Sequence, residues 1–501
     1  MAKRKERYDL ATFKMPKYRE YVVVELRYES PVAVAERKFV GHEQGEDQAN
    51  HLNKVIDRFD IQDVQFQFHV PAKAIRVSLE MAAALPTAPK AATIEKRLKK
   101  AHGDRFDIPR FFQTNFVRVV PKRPGDAQKI AKAMKSASAV WSAHVAPRPV
   151  PPLFFQPPDI AEPGPFNIEP TQGYLYSAPC GIGAMDVWSV PGGKGQGVKI
   201  CDIEGGWNLS HQDLPGGIAV IGGTPLTTDD WVNHGTAVLG EMVSVSNDFG
   251  AVGVSHKAKA VVHGAFDGTV FNAAAAIDNA ASNLSPGDVV LIELHSELNQ
   301  GTGDFVAMQY FPEVFTAIRT AVDRGIVVIE AAGNGNQNFD SAKFKDSGLQ
   351  KDCGAIVVGA GVPPSNRIDF NGFGGGMPAY SLLGNPRSRI FFSNYGKIVN
   401  VQGWGWHVST LGYGDAQGGP NPNLHYTFRF SGTSSASPIV TGAAACLQGA
   451  AKAKLGSPLD PGKVRDILIK TGTPQEDSPG VPAVSNHIGP QPDLVAAIGK
   501  L

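Results

Sequence analysis

A chain of 501 residues, 42% hydrophobic and 19% charged, has the material for a large core in two domains and is too apolar for a disordered or low-complexity protein. A formal charge of only +1 excludes a uniformly basic nucleic-acid binder, and no apolar run is long enough to span a bilayer, so neither nucleic acid nor membrane is expected as a partner. The charge is unevenly divided. Residues 1–150 carry 28 Lys and Arg against 17 Asp and Glu, and the remainder carries 20 against 30, so the first part is expected to dock on the second. A basic nucleic-acid-binding domain ranks lower, because the excess is spread through helical and strand-like segments with no zinc-ligand spacing and no RNA-binding aromatic motif.

Residues 1–18, with Lys3, Arg4, Lys5 and Arg7 and no apolar run behind them, read as a disordered N-terminus without a secretory signal. A cytoplasmic location is expected, with later export by a non-classical route left open. Residues 21–28 then read as a strand, 48–59 as a helix with Leu52, Val55 and Ile56 on one face, and 64–70 as a strand of period two. Residues 90–102 read as a charged helix or exposed loop, 116–120 as a strand, 126–136 as a helix and 140–145 as a strand. Together they predict a small α+β domain over residues 19–146. Nine prolines between Pro147 and Pro170 make residues 147–170 an extended linker, placed where a cleavage or regulatory segment would lie. The cysteines, Cys180, Cys201, Cys353 and Cys446, are scattered and read as buried thiols.

Residues 171–501 alternate strands (198–203, 260–264, 288–294, 325–329, 355–359) with helices (234–243, 271–282, 312–324, 438–450) after a short opening helix near residues 181–188. That alternation predicts a parallel sheet covered on both faces, with chemistry at the carboxyl ends of its strands. The glycines at 193–197 and 359–361 lack the strand–GxGxxG–helix setting of a dinucleotide site and read as turns.

One stretch organises this region: Phe430-Ser431-Gly432-Thr433-Ser434-Ser435-Ala436-Ser437-Pro438, followed by small apolar residues. With Pro438 in the first turn of a helix, Ser434 sits just before it, where free backbone N–H groups and the helix dipole can hold an oxyanion. A serine nucleophile needs a base and a group that orients the base. Small-residue settings upstream supply them: Asn233-His234-Gly235-Thr236 ahead of an apolar helix, and Asp202 at the end of the run Val198 to Ile203. Asn334, in Ala331-Ala332-Gly333-Asn334, brings an amide able to donate to an oxyanion.

In this order and with these flanking residues, the chain resembles the subtilisin-like serine peptidases, the subtilases, over roughly residues 170–500. The resemblance implies an α/β fold, a subtilisin-like three-layer sandwich with a mostly parallel central sheet, over residues 171–501. It implies that Asp202 orients the imidazole, His234 is general base and acid, Ser434 is the nucleophile, and Asn334 with the Ser434 N–H forms the oxyanion hole. The N-terminal domain then resembles a subtilase propeptide, which docks beside the catalytic domain and lays its last segment into the cleft. No cofactor is required for the chemistry. A structural calcium is implied by Asp213 and Asn247 as side-chain ligands and Val245, Phe249 and Ala251 as carbonyl ligands; the bland alternative makes Asp213 a helix cap and Asn247 a turn residue.

The sequence departs from the family pattern at several points, the mildest being Ala237 in place of the usual second histidine after His234-Gly235-Thr236. After Asp202 a small hydroxyl residue and then glycine are usual, whereas Ile203-Glu204-Gly205 stand here, and Leu291 to Ser296 occupies the place of the substrate-pairing strand without the usual Ser-x-Gly. Glu293 and His295 are either pocket residues or satisfied polar groups at a strand end. The expected function is a serine endopeptidase, a zymogen-like hydrolase whose N-terminal domain inhibits it or assists its folding. Its expected partners are a protein or peptide substrate, its own N-terminal domain and a protein inhibitor. The alternatives are a peptide-processing transpeptidase on the same triad, or a partner-regulated scaffold.

Overall fold

The structure, a computed structural model, describes residues 18–27, 32–35, 37–41, 45–68, 113–123, 125–150, 167–299, 301–364 and 384–501. The expectations for residues 1–17 and 90–102 and for most of the linker lie outside them. The N-terminal part contains β1 (Val22–Leu26), β2 (Val32–Ala35), β3 (Lys38–Gly41), α1 (Glu46–Arg58), β4 (Ile61–Phe66), β5 (Phe116–Pro121), α2 (Ala127–Lys135) and β6 (Val140–Val145). Four strands form an antiparallel sheet in the order β4-β5-β1-β6. Period-two alternation divides β1 between two cores: Val22, Val24 and Leu26 pack with Leu52, Val55, Ile130 and Met134 of the two helices, while Val23, with Tyr21 before it, faces away from them.

The larger part begins with the short helix α3 (Ala184–Val187) and continues through β7 (Lys199–Glu204), β8 (Ala219–Gly222), α4 (Asp229–Val243), β9 (Lys259–Gly264), the hairpin β10 (Phe266–Asp267) and β11 (Val270–Phe271), and α5 (Ala273–Ser282). Next come β12 (Val289–Ile292), β13 (His295–Glu297), β14 (Phe305–Ala307), α6 (Pro312–Asp323), β15 (Val327–Ala331), β16 (Ile356–Gly361) and β17 (Val399–Trp404). The chain ends with β18 (Val408–Leu411), β19 (Tyr426–Phe430), α7 (Thr433–Leu455), α8 (Pro461–Thr471) and α9 (Leu494–Ile498). Seven strands make one wholly parallel sheet in the order β17-β16-β15-β12-β7-β9-β8. Its strands are apolar on both faces because both are covered: Ile200, Leu291 and Ile329 pack towards α4 and α7, and Cys201, Val290, Ile292 and Val328 towards α5 and α6.

Two helix starts differ from the expectation. α4 begins at Asp229, five residues before His234, because Thr228 is extended at the N-cap position and Asp229 and Asp230 suit the positive first turn. α7 begins at Thr433, so Pro438 lies inside it, and Ser434 is its second residue rather than a residue ahead of it. The strand expected over 288–294 ends at Ile292, and β13 restarts as an antiparallel partner of β14.

The N-terminal sheet lies on α5, α6 and the β10–β11 hairpin. Tyr21, Val23, Phe68, Phe116 and Val120 share a core with Phe266, Phe271, Ala274, Ile277, Phe311 and Val314. Burying each large side chain contributes about 1.5–3 kcal/mol. The Tyr21 hydroxyl donates to the Phe271 carbonyl at 3.0 Å, and the Gln67 amide donates to Asn272 Oδ1 at 2.9 Å. Cys201, Cys353 and Cys446 are buried free thiols as expected, whereas Cys180 is only half-buried. Among the described residues no helix is long and apolar enough to cross a membrane.

One polar contact in this interface titrates. His144 of β6 pairs with Val23 in register, and its Nε2 meets the buried Glu313 carboxylate of α6 at 3.0 Å. Burial alone would lower the His144 pKa, but the charge and hydrogen bond of Glu313, with Glu25 nearby, raise it overall. The pair therefore stabilises docking fully below the ordinary histidine pKa of about 6.5 and loses that contribution as pH rises through the higher folded value. Hydrogen exchange at residues 22–26 and 116–121 should thus accelerate, relative to the chemical rate, as pH rises above about 6.5 in the wild type and respond less to pH in His144→Gln.

Candidate active site

The site is assembled where β7 and β12 end beneath the first turns of α4 and α7. Period two puts Ile200, Asp202 and Glu204 of β7 on the side facing these helices. Both acids are fully buried, yet only one reaches the histidine. His234 Nδ1 lies 2.5 Å from Glu204 Oε2, while Glu204 Oε1 accepts the Gly205 N–H at 2.7 Å. Asp202 instead accepts the indole N–H of Trp207 at 2.7 Å through Oδ2, and its Oδ1 has no partner. The role expected of Asp202 is therefore corrected: the acid against the imidazole is Glu204, two residues on along the same face. Burial, followed by the charge of Glu204, pushes the Asp202 carboxyl well above the usual range. A side chain on Gly235 would strike the Gly206 carbonyl and Glu204 Cγ at 2.3 and 2.8 Å, so His234-Gly235 lets the helix approach the strand end this closely. The imidazole also packs edge-on against Phe430, with centroids 5.3 Å apart.

Ser434 is half-buried at the second position of α7. Its backbone N–H belongs to the first turn, whose donors have no intrahelical acceptor. Gly432, with φ of 107°, turns the chain into the helix, and a Cβ there would stand 3.1 Å from Asn334 Nδ2. The Asn334 oxygen accepts the Thr433 N–H at 2.9 Å and its hydroxyl at 3.0 Å, which fixes the amide so that its nitrogen lies on the Gly432 side. Asn394, fully buried, holds the loop carrying Asn334: it donates to the carbonyls of Ala332 and Phe305 and accepts the N–H groups of Gly335 and Gln337. Sequence reasoning missed Asn394, whose only local signal is a polar residue in an aromatic and serine-rich turn.

Along the cleft, the His295 ring stacks on Phe305 at 4.7 Å and 12°. Burial and the neighbouring His234 hold the His295 pKa down to about 4, so it stays neutral beside the base. Ser296 of β13 exchanges hydrogen bonds with the main chain of Arg148, accepting its N–H at 3.1 Å and donating to its carbonyl at 3.2 Å. The chain leaving β6 therefore runs beside β13. Glu293 fits neither expectation. It is buried under the start of α7, with Oε2 2.5 Å from the Ser437 hydroxyl and Oε1 without a partner.

The residues named for calcium come together, but as donors and acceptors. Asp213 Oδ1 accepts the Asn247 amide N–H at 2.9 Å and Oδ2 accepts the Ala251 N–H at 2.6 Å, while the Asn247 oxygen accepts the Phe249 N–H. N–H groups thus meet the carboxylate where a cation would need further oxygens, so these residues do not fit calcium in this arrangement. Val245 enters through its N–H to the Asp213 carbonyl. Burial pushes the Asp213 pKa up to about 7. Among the described residues no cluster of three or more His, Cys, Asp or Glu is placed to hold a metal.

Comparison with known proteins bears on this geometry. The subtilase family model (Peptidase_S8) matches residues 195–490. The chain is 30% identical over 301 residues to subtilisin DY of Bacillus licheniformis, covering 57% of this chain and 88% of that protein. It is 27% identical over 348 residues to an extracellular basic protease of Dichelobacter nodosus, covering 60% of this chain and 50% of the relative, so the chain spans about half the length of that protein. A solved protease structure from Pseudoalteromonas arctica aligns with a TM-score of 0.46 at 20% identity, covering 67% of this chain and 98% of that one.

The closed hydrogen bonding around Asp213 predicts indifference to calcium. The thermal midpoint should move by less than about 2 °C, under 1 kcal/mol for a domain of this size, between excess chelator and millimolar calcium. A calcium-dependent rise well above that would show that the loop opens to bind the ion.

Proposed function

Because the chain belongs to the subtilase family of serine proteases, we propose that it is an endopeptidase working through an acyl-enzyme, with Glu204, His234 and Ser434 as its triad. The observation that carries this reading is the 2.5 Å contact between Glu204 and His234 Nδ1. With Glu204 accepting the Nδ1 proton, Nε2 is left as the basic nitrogen of the neutral imidazole. His234 then takes the Ser434 hydroxyl proton as the oxygen attacks the substrate carbonyl carbon. The oxyanion is held by Asn334 Nδ2 and the Ser434 N–H. His234 returns the proton to the leaving amine, which gives the acyl-enzyme. A water attacks the ester in the same way, with His234 again as base, and frees Ser434. The extra methylene of Glu over Asp is accommodated by the strand end, where the Gly205 N–H holds the second carboxylate oxygen.

The N-terminal domain is read as an inhibitory or folding-assisting domain of this protease. Its docking on α5 and α6 and the Arg148–Ser296 hydrogen bonds beside β13 support that reading, since a chain laid there competes with a substrate strand.

Three variants test the triad against a labelled protein substrate. Ser434→Ala should abolish turnover and labelling by a fluorophosphonate without changing the unfolding midpoint. Glu204→Gln should lose about 10⁴-fold in kcat, because an amide can hold the wrong tautomer. Asp202→Asn, which keeps an acceptor for Trp207, should retain activity within about tenfold, a change of about 1.4 kcal/mol. Equal losses in Asp202→Asn and Glu204→Gln would overturn the assignment of the acid, and turnover by Ser434→Ala would overturn the protease reading.

A further inference from the structure

The parallel register of β7 and β12 pairs Ile203 with Ile292, so the next residues, Glu204 and Glu293, end adjacent strands side by side. The Glu293 N–H donates to the Ile203 carbonyl at 3.2 Å, which holds the second strand end to the first. In-register neighbours project to the same face, so Glu293 shares the helix side of the sheet with Asp202 and Glu204. From α4, Glu241 faces the same space, fully buried and with neither carboxyl oxygen hydrogen-bonded. From α7 come the Ser437 and Ser434 hydroxyls, and no lysine or arginine is among the groups that act on Glu293. Asp202, Glu204 and Glu293 are thus neighbours, Glu241 acts on Glu293, and of these acids Glu204 is the one paired with the imidazole.

The hydrogen bonds at Ser437 leave room for a proton on Glu293. The Ser437 hydroxyl has two acceptors in reach, Glu293 Oε2 at 2.5 Å and the Thr433 carbonyl at 2.8 Å, but only one hydrogen. The carbonyl cannot donate. If the Ser437 proton goes to Thr433, the short contact to Glu293 is made by a proton on the carboxyl. Burial raises the Glu293 pKa well above the carboxylate range, opposed by the Ser437 hydroxyl and reinforced by the adjacent Glu204, and so favours that neutral form. Its other oxygen has no fixed partner, and the Ser434 hydroxyl is near enough to act on the carboxyl as a hydrogen-bond donor.

Resting on the triad reading above, we propose that Glu293 is a positioning residue for the nucleophile: as a neutral acid it binds Ser437 and leaves the Ser434 hydroxyl to His234, and as a carboxylate it captures that hydroxyl and silences the site. The only chemical change is loss of the Glu293 proton to solvent. The Ser434 O–H bond stays intact and swings from the imidazole to the carboxylate. The protease therefore carries an alkaline limit set by Glu293.

The test compares pH profiles of kcat/KM, and of fluorophosphonate labelling, in wild type and E293Q, whose amide imitates the neutral acid by donating to Ser437. In the wild type both should fall at alkaline pH by about tenfold per pH unit, as for loss of one proton. In E293Q that fall should be absent, with a loss of no more than about tenfold at the wild-type optimum. A purely structural role would lower the unfolding midpoint and leave the profile shape unchanged; that result, or superimposable profiles, overturns the proposal. A loss of a hundredfold or more at every pH in folded E293Q also overturns it, since it would make the ionised form the working one. Should E293Q fail to fold, the wild-type profiles decide: kcat/KM and labelling must both fall by about tenfold per pH unit at alkaline pH while the protein stays folded, and the absence of that fall overturns the proposal. If the wild type is labelled at no pH, the protease reading itself fails, a result distinct from all of these.

Discussion

A parallel register that ends two neighbouring strands in glutamate is the constraint on which the site depends. Strands in one sheet lie about 4.8 Å apart, and acids at that spacing in a water-poor interior cannot all ionise. One position has donors to offer a carboxylate: Glu204 receives the His234 ring and the Gly205 N–H. Asp202 has an indole, Glu293 a serine, and Glu241 nothing. Burial raises the pKa of Asp202, Glu293 and Glu241 well above the carboxylate range, and Glu204 is the acid that has the imidazole on one oxygen and a backbone N–H on the other.

That arrangement requires helices to approach the sheet at backbone distance, and small residues allow it. Along α7 a Cβ on Gly442 would stand 2.5 Å from the Val254 Cβ, and one on Gly449 would stand 2.3 Å from the Gly192 carbonyl. On β17 a Cβ at Gly403 would stand 2.3 Å from the Ala436 carbonyl. The helix that carries Ser434 at its start is thus clamped along most of its length by backbone contact rather than by long side chains. Its 23 residues are almost all buried up to Ala451. A nucleophile on such a support has little freedom to drift, which is what a hydrogen-bonded triad demands.

Much of this was legible before the structure. The alternation of apolar runs gave the parallel sheet and its covering helices, and the small-residue settings of His234, Asn334 and Ser434 marked the carboxyl ends of strands and the starts of helices. The acid was misjudged for a definite reason. Asp202 and Glu204 share a strand face, so periodicity cannot separate them, and aspartate is the residue usual in this role. The signal was the departure itself: Glu204-Gly205-Gly206 supplies the acid followed by the turn that Asp202-Ile203 lacks. Helix starts were misplaced because Asn233 and Pro438 look like boundary residues, whereas Thr228 and Gly432, less conspicuous, have the extended and left-handed backbones that begin α4 and α7. Asn394 was not readable and Glu293 was left between two readings, since their meaning comes from partners 62 and 144 residues away.

The division of β1 between two cores sets the terms on which the two domains can part. Val22 and Val24 belong to the N-terminal domain's own interior, but Tyr21, Val23, Phe68 and Phe116 are buried only because another domain lies over them. Separation would strand a sheet with a bare aromatic face, and α5 and α6 would be uncovered in turn. Each surface is sticky and each is made for the other, so parting exposes both fragments to aggregation and to degradation. Neither apolar face is covered without the other, so the two parts of the chain complete each other's surface as well as each other's core.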